Sequence, residues 1–297
     1  MTEGLARRPP LPGRQGQDAT HTDDGAGQWR AELALRFEYR AGRTVLVQRR
    51  HRGPLCVQKP FYPEGEGVCH TYLLHPPAGI VGGDSLNIEL SLQENAHALV
   101  TTPAATRFYR ANPLAGTLSQ AIHLQAAASL EWLPQENIVF NGAAAEITTR
   151  LYLEKDCRLF AWDSLCLGRP ASAEVFDRGY CRQRLEIWLA QEPLFIDALH
   201  LDARSRFQQA RWGLAGAHIN SLLLVYPATV ADLALVNQSI LPVAELQCAA
   251  SLVDSLLVVR TLALDTEAVQ LLMRRVWQLL RPGIMGRPAC PPRVWNT

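Results

Sequence analysis

A chain of 297 residues with 48% hydrophobic and 19% charged side chains is long enough for a substantial core and has the composition of a soluble globular protein. Its 29 basic residues face 28 acidic ones, so the net charge of +1 carries none of the basic surplus expected of a nucleic-acid binder. The cysteines, 7 in number, scattered and free of any C-x-x-C pair, read as reduced thiols in a cytoplasmic setting rather than as a disulfide framework.

Residues 1–28 are rich in Pro, Gly, Gln, Asp and Thr and predict a disordered tail, because they hold too little apolar surface to offset the entropy of ordering. His21 with Asp23 and Asp24 is a weak metal-ligand candidate there, against the plainer reading of a solvated tail. The opening MTEGLARRPPLPGRQGQ lacks the apolar stretch of a secretory signal, and no run of about 18 apolar residues predicts a membrane span. Residues 29–297 then read as a single domain. WRAELALRF and RTVLVQRR alternate apolar and polar positions around Ala41 and Gly42, which predicts an antiparallel pair; RRHR at 49–52 is too short for a phosphate-binding stripe and reads as a solvated strand end.

The stretch from Gly53 to Asp84 is dense in Pro and Gly, with LCV, TYLL and IV as strand-length apolar runs between them. Tight-turning β structure follows, with Glu64, His70, His75 and Asp84 held among the turns. Next comes an internal repeat with a period of roughly 30 residues. It aligns IELSLQENAHALVTTP at 88, QAIHLQAAASLEWLPQ at 120 and TRLYLEKDCRLFAWDS at 149, matching Leu90, Ile122 and Leu151, then Leu92, Leu124 and Leu153, then Ala96, Ala128 and Cys157. LEIWLAQEPLFIDAL at 185 is a shortened fourth copy. Units of strand, polar turn and strand cannot cover their own apolar faces, so they must stack. The predicted fold is mainly β, an elongated layered stack of antiparallel strands. Two helices close the chain, at about 228–241 and 266–281 by apolar spacing, with Asp265 as N-cap of the second and Pro282-Gly283 as its stop. SLLVVRTLAL between them reads as a buried strand, and the pair is expected to form a small helical face. Trp295, in the Pro-rich end, is either tucked against the body or offered to a partner.

The run GPLCVQKPFYPEG, CHTYLLHPP and GIVGGD, followed by TTPAATRFYR at 101, LEWLPQENIVF at 130, AWDSLCLGRP at 161, VWQLLRP at 276 and the terminal PRVWNT, resembles the urease accessory protein family called UreD, or UreH in some organisms. The likeness covers about residues 29 to 297. Ala78 stands where that family usually has Gly, and Arg107 where a Lys is common. The resemblance implies a β-helix-like fold and a non-enzymatic role in inserting nickel into urease, with apo-urease on one side and the UreF and UreG accessory proteins on the other. It implies transient Ni²⁺ and no permanently bound cofactor.

Catalytic signatures are missing from the sequence: it has no phosphate loop, G-x-S-x-G, H-E-x-x-H or dinucleotide fingerprint. What stands out is lone carboxylates in apolar strands: Asp163 in LFAWDSLCL, Asp197 in PLFIDALHL, Glu131 in ASLEWLPQ, and Asp84 after IVGG. A buried unpaired carboxylate is costly, so such groups are ion-paired, bind cations or line water. Pairing with Arg110, Arg169 or Arg178 is the bland alternative; taken with the resemblance, the set predicts a wet polar path for Ni²⁺ along Asp84, Thr106, Asp163 and Asp197. Weak oxygen sites suit handing an ion on. Glu64, His70, His75 and Glu131 are secondary candidates. Cys69, His70 and His75 superficially suggest a tight nickel site, but strand parity turns Cys69 and His70 to opposite faces. Thr101, Thr102 and Tyr109 are further lining candidates, while Cys166 and Cys181 read as core thiols. Two rival readings remain: a docking adaptor with purely structural acids, and a β-helical glycan-active enzyme using paired carboxylates.

Overall fold

Alternating side chains along Arg30–Arg40 (β1) bury Ala31, Leu33, Leu35 and Phe37 on one face. At Ala41 and Gly42, φ of 48° and 84° makes the two-residue turn that returns the chain antiparallel as Arg43–Arg52 (β2), as expected from the sequence. The computed structural model describes residues 28–77, 79–110, 114–240 and 246–296. The expected tail, His21 and the family difference at Ala78 therefore lie outside the described residues, Gln28 apart.

After the short strands Cys56–Val57 (β3) and Cys69–Leu74 (β4), the repeats become rungs of a stack. The first is Ser85–Leu92 (β5), His97–Thr101 (β6) and Thr106–Phe108 (β7); the second is Gly116–Leu124 (β8), Ser129–Leu133 (β9) and Asn137–Val139 (β10). The third is Ala144–Leu153 (β11) and the long Arg158–Leu167 (β12). The alignment made on sequence is the pairing register: Leu90 faces Ile122 and Ile122 faces Leu151, while Leu92, Leu124 and Leu153 form the next row. Each rung turns its corner through a residue with positive φ at the same repeat position, Asn95 at 61°, Ala127 at 56° and Asp156 at 62°.

One expectation is corrected here. Neighbouring rungs run parallel, not antiparallel, in both sheets, because each rung crosses from one sheet to the other before the next begins. Antiparallel pairs are confined to the two ends. The fourth copy, Tyr180–Leu189 (β13), pairs in register with β11, but Ala190 and Gln191 adopt φ of 47° and 70°. That two-residue turn sends Glu192–Asp202 (β14) back antiparallel along β13 instead of across to the other sheet. The first sheet thus runs β14-β13-β11-β8-β5-β1-β2. Ile219–Tyr226 (β15), Leu246–Val253 (β16) and Leu256–Ala263 (β17) extend the second sheet, whose order is β16-β17-β15-β12-β9-β6-β4-β3.

Between the sheets lies the main core; a second core lies on the outer face of the second sheet, under the helices. Val230–Ser239 (α1) carries a capping box between Thr229 and Asp232, and Thr266–Met285 (α2) is capped by Asp265, whose carboxylate accepts from the amides of Glu267 and Ala268. Helix α2 runs past the Pro282-Gly283 stop expected from sequence and ends at Gly286, in the left-handed conformation with φ of 67°. The helices touch each other and cover β12, β15, β16 and β17. Trp295 is tucked in: it packs against Trp162 and Trp277, and its Nε1 donates to Thr101 Oγ1 at 3.2 Å. Trp295 is only 7% exposed, which corrects the partner-docking alternative for it.

Candidate functional site in the polar interior

Four of the sequence candidates belong to buried charge on the helix side of the second sheet or to turns, not to an open site. Glu131 is fully buried on β9, facing α2. Arg281 of α2, also fully buried, grips it with Nε to Oε2 at 2.8 Å and Nη2 to Oε1 at 2.9 Å. Trp277 Nε1 donates to Glu131 Oε2 at 2.6 Å, and His97 Nε2 lies 2.9 Å from Oε1. The same guanidinium reaches Glu64 Oε1 at 2.7 Å, where His70 Nε2 also lies at 2.7 Å, and it touches the Pro288 carbonyl. Burial alone would raise Glu131, but the hydrogen bonds from His97 and Arg281 hold it at about 2. Glu64 is lowered against its own burial by His70 and Arg281, and Arg281 is raised by the two carboxylates. This network ties α2 to the sheet. Its guanidinium was missed on sequence, because Arg281 sits 150 residues from Glu131.

Asp84 is 5% exposed, and its two oxygens accept the amides of Trp29 at 2.9 Å and Val81 at 3.0 Å. It is the clasp of the GIVGGD turn. Cys69 faces the intersheet core and His70 faces the helices, as strand parity requires, so Cys69, His70 and His75 form no shared site. Cys166 and Cys181 are buried thiols pushed up to about 11 and about 12 by desolvation.

Asp163 is different. Along β12, Leu159, Ala161, Leu165 and Leu167 point between the sheets, and Asp163 shares their parity. It is 8% exposed; Oδ1 accepts from Asn137 Nδ2 at 3.3 Å, while Oδ2 is buried with no hydrogen-bond partner. Among the described residues no arginine or lysine pairs with it. Burial pushes its carboxyl up to about 6; the Asn137 amide and the nearby Gln183 amide, which makes no hydrogen bond to it, pull the other way, and the charge of Asp197 adds to the rise.

Asp163 lines a cavity of about 220 Å³ together with Thr106, His75, Gln120 and Asn137, and the exposed Pro76 and Ala104 mark its rim. That is room for several waters. Thr102 and Arg107 line it too; Thr101 instead donates to the Leu133 carbonyl at 2.5 Å, and Tyr109 lies edge-on to Phe140. Burial lowers His75, with the charge of Asp84 partly offsetting it.

Two rows with polar residues at intervals leave this cavity, each interrupted by one buried leucine, Leu185 on the first sheet and Leu222 on the second. On the first sheet Gln120 pairs with Thr149, whose hydroxyl donates to Gln120 Oε1 at 2.7 Å, and the same row continues through Leu185 to Asp197. On the second sheet Asp163 pairs across Leu222 to Arg260. The rows meet where Arg260 Nη2 bonds Asp197 Oδ1 at 2.7 Å, at an open pocket of about 490 Å³. Asp197 is thus ion-paired, by an arginine other than those weighed on sequence. Among the described residues no group of three or more His, Cys, Asp or Glu is placed to hold a metal ion. The donors along the rows are single oxygens and amides, chemistry that holds a divalent cation weakly.

Comparison with known proteins matches nearly the whole chain to one family. The family model described as UreD urease accessory protein matches residues 30–296. The chain is 48% identical over 269 residues to a urease accessory protein UreD of Citrobacter koseri, covering 91% of this chain and 92% of that one. It is 46% identical to that of Klebsiella aerogenes, covering 91% and 97%, and 45% identical to that of Pseudomonas putida strain W619, covering 91% and 95%.

Proposed function

The chain belongs to the UreD urease accessory protein family and serves urease maturation, and from that premise we propose that it is the scaffold through which Ni²⁺ is passed to the urease active site. In this reading it joins apo-urease to the UreF and UreG accessory proteins, works in the cytoplasm and catalyses no reaction of its own. No helix among the described residues is long and apolar enough to cross a membrane. The observation that carries the passage is Asp163: a carboxylate with a buried, unpartnered oxygen, in a cavity large enough for water, between sheets whose facing side chains are largely apolar. A dry interior does not retain such a group without a ligand or water to satisfy it.

The residues divide the work. Thr106, His75 and Asn137 line the space in which a hydrated ion meets Asp163, and Asp197 offers the next carboxylate at the far pocket. Asp84 acts one step removed, by fixing the turn beside His75. Docking is assigned to surface rather than interior: Val230, Leu235, Leu271 and Leu279 leave apolar area exposed on α1 and α2, a surface suited to a protein partner.

Two variants separate passage from docking. Asp163→Asn keeps the complex with urease, UreF and UreG while lowering the nickel content of the urease it matures; Leu271→Asp leaves the interior intact and weakens assembly. Normal nickel loading by Asp163→Asn in an intact complex would leave the docking-adaptor reading in its place.

A further inference from the structure

The loop from Ala203 to Ala217 supplies no polar side chain to the two rows of the interior, yet its backbone is closely tied to itself. Leu214 is buried, and its amide donates to the Phe207 carbonyl at 2.9 Å. The amides of Ala215 and Gly216 bond the carbonyls of Ala210 at 3.0 Å and Gln208 at 2.7 Å. Gln208 Nε2 clips the loop to the carbonyls of Ala203 at 2.7 Å and Phe176 at 3.0 Å. Gly213 is required: a Cβ there would lie 2.1 Å from the Phe207 carbonyl oxygen. A loop so closed on itself is ordered before anything binds it.

What this rigid frame presents is Trp212, 76% exposed and the most exposed of the large hydrophobics among the described residues, resting edge-on against Phe207 with ring centroids 5.6 Å apart. The same loop carries Arg204, Arg206 and Arg211, all exposed, and among the described residues none of them makes an ion pair. No acid lies within the loop; Asp202, just before it, accepts the Arg204 amide at 2.8 Å. Phe207, Gly213 and Leu214 also line the pocket that holds the Asp197–Arg260 pair, so the loop borders the place where the two polar rows meet.

We propose that the Trp212 loop is a docking surface for a protein partner whose face presents carboxylates around an apolar socket, seated at the Asp197–Arg260 end of the interior. Tryptophan and arginine are the side chains that concentrate binding energy in protein interfaces, and preordering the loop removes the entropic cost of fixing them. Three unpaired guanidinium groups specify the charge of the partner. A rigid, compact patch holding a single large aromatic favours a shaped protein surface over a lipid headgroup layer or a nucleic-acid strand. The choice of end rests on the nickel-passage reading; the docking does not, and it is tested without nickel.

The experiment measures affinity of the full-length protein for purified apo-urease, UreF and UreG separately, at low and high salt. The variants are Trp212→Ala and the charge reversal Arg211→Glu, with unchanged unfolding temperature as the control for folding. The expected result is that one of the three partners binds at least about tenfold more weakly to each variant, with the wild-type affinity for that partner falling as salt rises. Unchanged affinity for all three overturns the proposal, as does Trp212-dependent binding to anionic lipid vesicles or to RNA with partner affinities intact. If docking holds while Asp163→Asn loads nickel normally, the passage alone has failed.

Discussion

At the scale of single residues, Asp163 and Glu131 are two carboxylates in neighbouring strands with opposite fates. Glu131 is satisfied by a guanidinium, an indole and an imidazole, and its charge stabilises the fold. The folded value of about 2 lies below the 4.5 of an ordinary glutamate, so this stabilisation is present above about pH 4.5 and is lost as pH falls toward 2. Removing the guanidinium by Arg281→Met strands two buried carboxylates and is expected to destabilise the protein by about 3–5 kcal/mol in chemical denaturation at neutral pH. For Asp163 the sign reverses. Its folded value of about 6 lies above 3.8, so the folded state holds the proton longer; stability falls as pH rises between these values and stays lower above them. Asp163→Asn is therefore expected to raise stability by up to about 3 kcal/mol at pH 8 and to change little near pH 3, measured by urea unfolding at the two pH values. A substitution that stabilises the fold and impairs the function marks a group kept for function.

At the scale of elements, the stack depends on rows of aliphatic side chains in strict register. Ile122, fully buried between Leu90 and Leu151, is the middle of one row, and Ile122→Ala is expected to cost about 2–5 kcal/mol. Gly179 immediately precedes β13 with φ of 95° and its absent Cβ would fall 2.0 Å from the Ala143 carbonyl oxygen, so Gly179→Ala should unseat the last rung and lower the unfolding temperature sharply. The repeat was legible in sequence because period-two apolar positions recur at one spacing, and the same positions became the register. The parallel sense was not legible: the same alternation serves either direction, and only the corner at Asn95, Ala127 and Asp156 decides it. The site was legible in part. A lone acid in a greasy strand flags Asp163 and Glu131 alike, but whether an arginine from α2 arrives to pair with it depends on packing between segments far apart in the chain. Asp84 was read as interior when its place after Val81 and two glycines made it a turn clasp.

For the whole molecule, the division of labour is spatial. The intersheet core holds the cavity and the polar rows, the helix side holds the Glu64–Arg281–Glu131 network, and the outer surfaces carry the apolar helix face and the Trp212 loop. Charge that stabilises is thus kept apart from charge that is left uncompensated. The most direct test of passage through the interior is to block it. Thr106→Trp places an indole in the cavity of about 220 Å³; the nickel bound per urease active site is then measured after maturation by the assembled complex. With assembly with urease, UreF and UreG unchanged, nickel content should fall by about tenfold or more, because a buried indole leaves no wet route past Asp163. Wild-type nickel content in an assembled Thr106→Trp complex would contradict passage through this cavity.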